Sequence, residues 1–135
     1  MNVTGHVADF RFFATPHASY WSYLNIKLME HIVFLDRDSI QADIRRPDFL
    51  HEWRDYPATA ATQVIGHLKD ATIAISNKVP LIADSLVQIK SLRMIAVCAT
   101  GTNNVDLDYC RAQGIVVSNI RNYAVHSVPE HVFTL

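Results

Sequence analysis

The chain has 135 residues, half of them apolar and 19% charged, with a formal net charge of −1. That length holds one domain, the apolar share supplies a core, and a near-neutral balance with scattered Lys and Arg argues against a nucleic-acid surface. No apolar run approaches the ~18 residues of a membrane span, and the two cysteines, Cys98 and Cys110, are too few for a disulfide framework; both are expected as reduced, packed thiols in a cytoplasmic protein.

Residues 1–28 carry six aromatic side chains (Phe10, Phe12, Phe13, Tyr20, Trp21, Tyr23) in neither helical nor alternating order. They lack the basic start and unbroken apolar stretch of a signal peptide. With Met29 standing ready as a start, they read as an extension of unclear role, dispensable for stability. Residues 32–35 (IVFL) form a first strand, and residues 53–56 a short second one after a polar stretch through Arg45, Arg46 and Pro47. Val64, Ile65, Leu68 and Ala71 share one helical face. A buried-type strand follows at 72–76 (TIAIS), and Ile82, Leu86 and Ile89 repeat at helical spacing. Residues 94–99 (MIAVCA) make the next strand. Asp106 is placed to cap a short helix holding Leu107 and Cys110, and Gly114 to end it. Residues 115–118 (IVVS) are the last strand. Ser127 and Glu130 then form a capping box that opens a final helix, with Pro129 tolerated in its first turn. Five strands alternating with helices predict an α/β domain with a parallel sheet in flavodoxin-like order.

Ligands of such sheets bind beyond the carboxyl ends of the strands. That rule selects Asp36 and Asp38, the run Ser76, Asn77, Lys78, the segment 99–104 (ATGTNN) and Asn119. In ATGTNN, successive backbone N–H groups beside a glycine are able to hold a carboxylate or phosphate by main-chain donors. The same glycine would equally serve a plain turn. Asn77 and Lys78 offer a donor and a positive charge to the same cleft, or else belong to a solvated loop. The stretch HIVFLDRDSI (residues 31–40) resembles the first motif of the haloacid-dehalogenase phosphatases, in which one Asp is nucleophile and the next acid/base. Against a magnesium phosphatase using Asp36 and Asp38, Ile40 stands where that motif has threonine or valine, and no later acidic pair follows. His126 and His131, five apart, point to different faces of a helix, and no spacing among the seven histidines supports a metal site.

Residues 95–135 (IAVCATGTNNVDLDYCRAQGIVVSNIRNYAVHSVPEHVFTL) resemble the D-isomer-specific 2-hydroxyacid dehydrogenases, in particular their glycerate dehydrogenase (hydroxypyruvate reductase) branch. The family pattern T-G-x-[DN]-N-[VI]-D, a helix, R-G-I-x-V-x-N and S-V-[AP]-E-H is matched almost throughout, with Gln113 in place of the usual charged residue. IAISNKV and LRMIAV extend the likeness back to about residue 29. The resemblance implies a flavodoxin-like substrate-binding lobe over residues 29–122. Residues 123–135 would begin the helix that crosses to a Rossmann cofactor lobe, before which the chain is expected to stop. It puts Thr100 and Gly101 at the substrate carboxylate, Thr100 also at the nicotinamide together with Val128, and Asn77 and Lys78 in a loop over the substrate. It further implies NAD or NADP as cofactor, a small 2-hydroxy or 2-oxo acid as partner, and a homodimer in a full-length form. The family's catalytic Arg, Glu and His and its G-x-G-x-x-G loop match nothing in this chain, so the fragment is expected to be inactive alone. Asp36 and Asp38 then become the polar end of a strand. A free-standing module that binds a 2-oxo acid without reducing it is the remaining alternative.

Overall fold

The structure is a computed structural model and describes residues 29–121. The extension 1–28, the capping box at Ser127 and Glu130, and with it Val128, His126 and His131, lie outside the described residues.

Five parallel strands form one sheet in the order β2-β1-β3-β4-β5. They are β1 (Glu30–Phe34), β2 (His51–Asp55), β3 (Ile73–Ser76), β4 (Met94–Val97) and β5 (Val116–Asn119). This is the flavodoxin-like order expected from the sequence. Helices α1 (Val64–Leu68), α2 (Ala83–Leu86) and α3 (Leu107–Gln113) lie in the last three crossovers. Those crossovers all step the same way across the sheet, so right-handed connections set all three helices on one face.

Strand register shows why that face is the dry one. Val33 pairs with Ala74 and Ala74 with Ile95, so these side chains share a side of the pleat. There they join Leu35, Val97, Val64, Leu68, Leu86, Ile89 and Cys110 in a single buried core. The other face carries the row Ile32, Ile73, Met94 and Val116. Exposure along it climbs from 2% at Ile32 to 60% at Val116. The β1-to-β2 connection lies on that side, and it contains a 3-10 turn, Arg37–Ser39, and then no regular element up to β2. Arg46 from this stretch sits over the Trp53 ring at 5.3 Å. Pro47 and the scattered Asp43 and Asp48 give the stretch no helical period.

Helix α3 forms as its caps dictate. Asp106 Oδ1 accepts the Tyr109 amide at 2.9 Å, and Gly114 closes the helix in the left-handed region at φ 71°. Three expectations need correction. The second strand is His51–Asp55, earlier than 53–56, because it is an edge strand whose polar sequence (HEWRD) hides its alternation. Tyr56 leaves it, and its ring stacks on His67 at 3.6 Å. Ile82 does not share the buried face of Leu86 and Ile89; it is the N-cap of α2 and 52% exposed. Leu81 takes the core place instead, held by Leu81 N–Asn104 O at 2.7 Å and Asp106 N–Leu81 O at 3.0 Å. The helix around Val64 is also shorter than its apolar period: it ends at Leu68, and Ala71 lies beyond it, closing a turn in which its amide donates to Leu68 O at 3.0 Å.

Candidate functional site

The strand order reverses at β1: the chain steps to β2 on one side and returns to β3 on the other. In open α/β sheets the ligand crevice opens at such a switch point, outside the carboxyl ends of the strands. Here those ends deliver residues 36–39 from β1, 76–79 from β3 and 99–104 from β4 to one edge of the sheet.

Asp36 is more than the polar end of a strand. It is 6% exposed, and a buried carboxylate is stable only where donors meet it. Its Oδ1 accepts the Asn77 amide at 2.9 Å, and its Oδ2 accepts the Asn77 and Lys78 amides at 3.2 and 2.7 Å. Asp38 is exposed. With both Asp36 oxygens engaged by the backbone and Asp38 turned to water, the two do not form the nucleophile and acid/base pair of a phosphatase.

Lys78 is exposed on the same loop, while the Asn77 side chain is half-buried and donates from Nδ2 to Ser39 Oγ at 3.1 Å. Thr100 and Gly101 are exposed at the end of β4, the strand next to β3. Among the described residues neither of their amides finds a protein acceptor. The segment is nonetheless anchored: Asn119 Nδ2 donates to Thr100 O at 2.6 Å, and Ile120 N to Ala99 O at 3.1 Å. Asn104 Nδ2 reaches across to Val79 O at 3.1 Å and ties the β4 loop to the β3 loop. Gly101 does not have a positive φ, and a Cβ there would meet nothing nearer than Asn103 Oδ1 at 3.9 Å. Neither a positive φ nor a crowding neighbour therefore requires a glycine here. Asn77, Lys78, Thr100 and Gly101 thus all lie at the carboxyl end of the sheet; the contacts of Asp36 and Ser39 with the β3 loop arise from the long-range pairing of β1 with β3, and Asn104, within the segment 99–104, joins the β4 loop to the β3 loop.

A cleft of about 320 Å³ opens here, lined by Asp36, Ser39, Thr59, Lys78 and Pro80 among others. Thr59 is fixed by its hydroxyl, which donates to Leu35 O at 2.5 Å and lies 3.0 Å from His67 Nδ1. A hollow of about 360 Å³ lies at the opposite, amino end of the sheet, lined by Phe49, Leu50, Ile73, Met94 and the Glu30–Arg93 ion pair. It is slightly larger, but its one charged pair is internally neutralised. The carboxyl-end cleft has the exposed Lys78 on its wall, while Thr100 and Gly101, with their open amides, stand at the end of β4 and do not line it. At half-buried Cys98, burial pushes the thiol up and the Asp36 carboxylate adds to that, against the pull of Arg37, which favours the thiol over the thiolate. Burial likewise pushes Cys110 up.

Comparison with known proteins agrees with this fold. The chain is 48% identical over 109 residues to the glycerate dehydrogenase of Methylorubrum extorquens, covering 80% of this chain and 35% of that protein. It is 34% identical over 83 residues to the hydroxypyruvate reductase of Blautia hydrogenotrophica, covering 59% of this chain and 26% of that one. The D-lactate dehydrogenase of Aquifex aeolicus, solved with NAD and lactic acid, superposes with a TM-score of 0.57 at 27% identity, over 76% of this chain and 32% of the other. The chain thus spans about a third of the length of these relatives. The catalytic-domain family of the D-isomer specific 2-hydroxyacid dehydrogenases matches residues 32–134, and the chain belongs to that family.

Proposed function

We propose that residues 29–122 are the substrate-binding lobe of an NAD(P)-dependent D-2-hydroxyacid dehydrogenase that reduces hydroxypyruvate or glyoxylate to D-glycerate or glycolate. The family resemblance assigns residues 123–135 to the connection toward the cofactor lobe. The observation that supports this reading is the placement of exposed Lys78 and of the open amides of Thr100 and Gly101 beyond the carboxyl ends of the adjacent strands β3 and β4. The Lys78 ammonium and the two amides hold the substrate carboxylate, leaving the 2-oxo carbon turned away from the sheet. The nicotinamide cofactor supplies or accepts a hydride at that carbon. The dinucleotide's phosphates need a glycine-rich turn, and the chain's glycines (Gly5, Gly66, Gly101, Gly114) are too far apart to make one. Lys78, Thr100 and Gly101 therefore bind and orient the acid, with Thr100 toward the nicotinamide side.

Calorimetric titration of the 135-residue chain tests the reading. Hydroxypyruvate and glyoxylate are expected to bind one per chain, with affinity falling about tenfold in Lys78→Ala, the loss of one charged contact. NADH is expected to give no heat. No binding of either acid, or tight binding of NADH, would refute the assignment.

A further inference from the structure

We propose that Asp36 is a positioning residue whose carboxylate fixes loop 76–79, so that the Lys78 ammonium meets an anionic ligand from one set direction. The proposal rests on the reading above, in which Lys78 faces the substrate carboxylate.

The clamp closes where the β-ladder runs out. The bond from Leu35 N to Ile75 O, at 2.9 Å, is made one residue past the end of β1. One residue later the Asp36 side chain takes over, accepting the amides of Asn77 and Lys78 from 41 and 42 positions away in sequence. Ser39 supports the same contact. Its hydroxyl accepts Asn77 Nδ2 at 3.1 Å and donates to Asp36 O at 2.6 Å. On the far side of the loop, Val79 N donates to Ser76 Oγ at 3.1 Å, and Val79 O accepts Asn104 Nδ2. The loop is therefore pinned on both sides of Lys78, and among the described residues no ion pair engages the lysine itself.

This arrangement constrains the ligand. The amides of Asn77, Lys78 and Val79 are all committed to protein acceptors, so the β3 loop offers an anion its lysine and not its main chain. Uncommitted main-chain donors come from the β4 loop, at Thr100 and Gly101. The carboxylate is gripped between a cation from one strand end and two amides from the next, and the distance between those grips depends on how Asp36 seats the loop. Asparagine cannot substitute, because it has a single acceptor oxygen and would turn its own NH2 toward an amide N–H.

Amide hydrogen exchange on the 135-residue chain, read by NMR, tests the clamp. The amides of Asn77 and Lys78 are expected to be protected. In Asp36→Asn both should exchange about tenfold faster or more, while Leu35 in the ladder stays slow as a check on folding. Open-peptide rates at Asn77 and Lys78 in the unaltered chain, or unchanged protection in Asp36→Asn, would overturn the proposal. Hydroxypyruvate affinity tests the consequence. Asp36→Asn should weaken binding about tenfold, Lys78→Ala at least as much, and the double variant no more than Lys78→Ala alone. Additive losses would overturn the positioning role. An unchanged affinity in Lys78→Ala would overturn the substrate role of Lys78 and this proposal's ligand step with it, while the exchange data would still stand or fall as evidence of the clamp. Should Asp36→Asn fail to fold, Ser39→Ala removes only the outer support. It is expected to speed exchange at Asn77 and to lower affinity in the same non-additive way.

Discussion

Replacing Gly101 with valine separates the site from the fold. At this position the backbone lacks the positive φ that would penalise a side chain, and the nearest neighbour of an added Cβ is Asn103 Oδ1 at 3.9 Å. The fold should therefore accept Gly101→Val with a stability change within about 0.5 kcal/mol, as at ordinary surface positions. A ligand would feel it strongly. The isopropyl group fills the approach to the amides of Thr100 and Gly101, and at least one charge-assisted hydrogen bond to the carboxylate is lost, at roughly 1.5–3 kcal/mol. That corresponds to an affinity or KM weakened about 10- to 150-fold. Hydroxypyruvate titration by calorimetry, beside a thermal melt of the same sample, reads both quantities. Unchanged affinity in a folded variant would show that the carboxylate is held elsewhere. A collapsed melting temperature would show that the glycine is needed by the turn after all.

Other consequences follow from the fold. Leu86→Ala, at a core position 1% exposed, should lower unfolding free energy by about 2–5 kcal/mol in urea denaturation. Asp106→Ala removes the acceptor of the Tyr109 amide and should cost about 1 kcal/mol; Gly114→Ala, with open space around it but φ at 71°, should cost roughly 1–2 kcal/mol from backbone strain alone. Hydrogen bonds from Arg93 and Thr72 hold the Glu30 carboxyl below the usual carboxylate range. Its folded value is depressed, so the stability it adds is fully present above the unfolded value near ~4.3 and is lost as pH falls through the folded one. Glu30→Gln should thus be less stable at pH 7, by about 1 kcal/mol given the exposure of Arg93, and the difference should vanish on acidification; a gap that persisted at low pH would contradict this.

What the sequence showed and what it hid divide along the range of the interactions. Caps act within a few residues, so Asp106 and Gly114 were legible as the ends of α3. Strands β3 and β4 are flanked on both sides in the sheet, and their continuous apolar runs announce them. The edge strand β2 has one neighbour and a polar sequence, and its position was misread by two residues at its start. Ile82 fits a helical period with Leu86, but the Leu81–Val105 bridge rotates the chain entry so that Leu81 is buried and Ile82 is not. At the site, Lys78, Thr100 and Gly101 were visible as strand-end residues and through the family motif. Asp36 was visible as a residue but not as a clamp. Its partners are some forty positions away, and no local pattern encodes a contact that exists only because β1 lies beside β3.

On the proposed reading, a small 2-oxo acid sits at the carboxyl ends of β3 and β4 and not in the hollow at the amino end. Amide chemical-shift mapping of the labelled chain during hydroxypyruvate addition decides between the two ends of the same sheet. Saturable shifts are expected at Lys78, Thr100, Gly101 and Thr102, with Arg93 and Met94 unmoved. Shifts confined to Arg93, Met94 and Leu50, or none at Thr100 and Gly101, would contradict it.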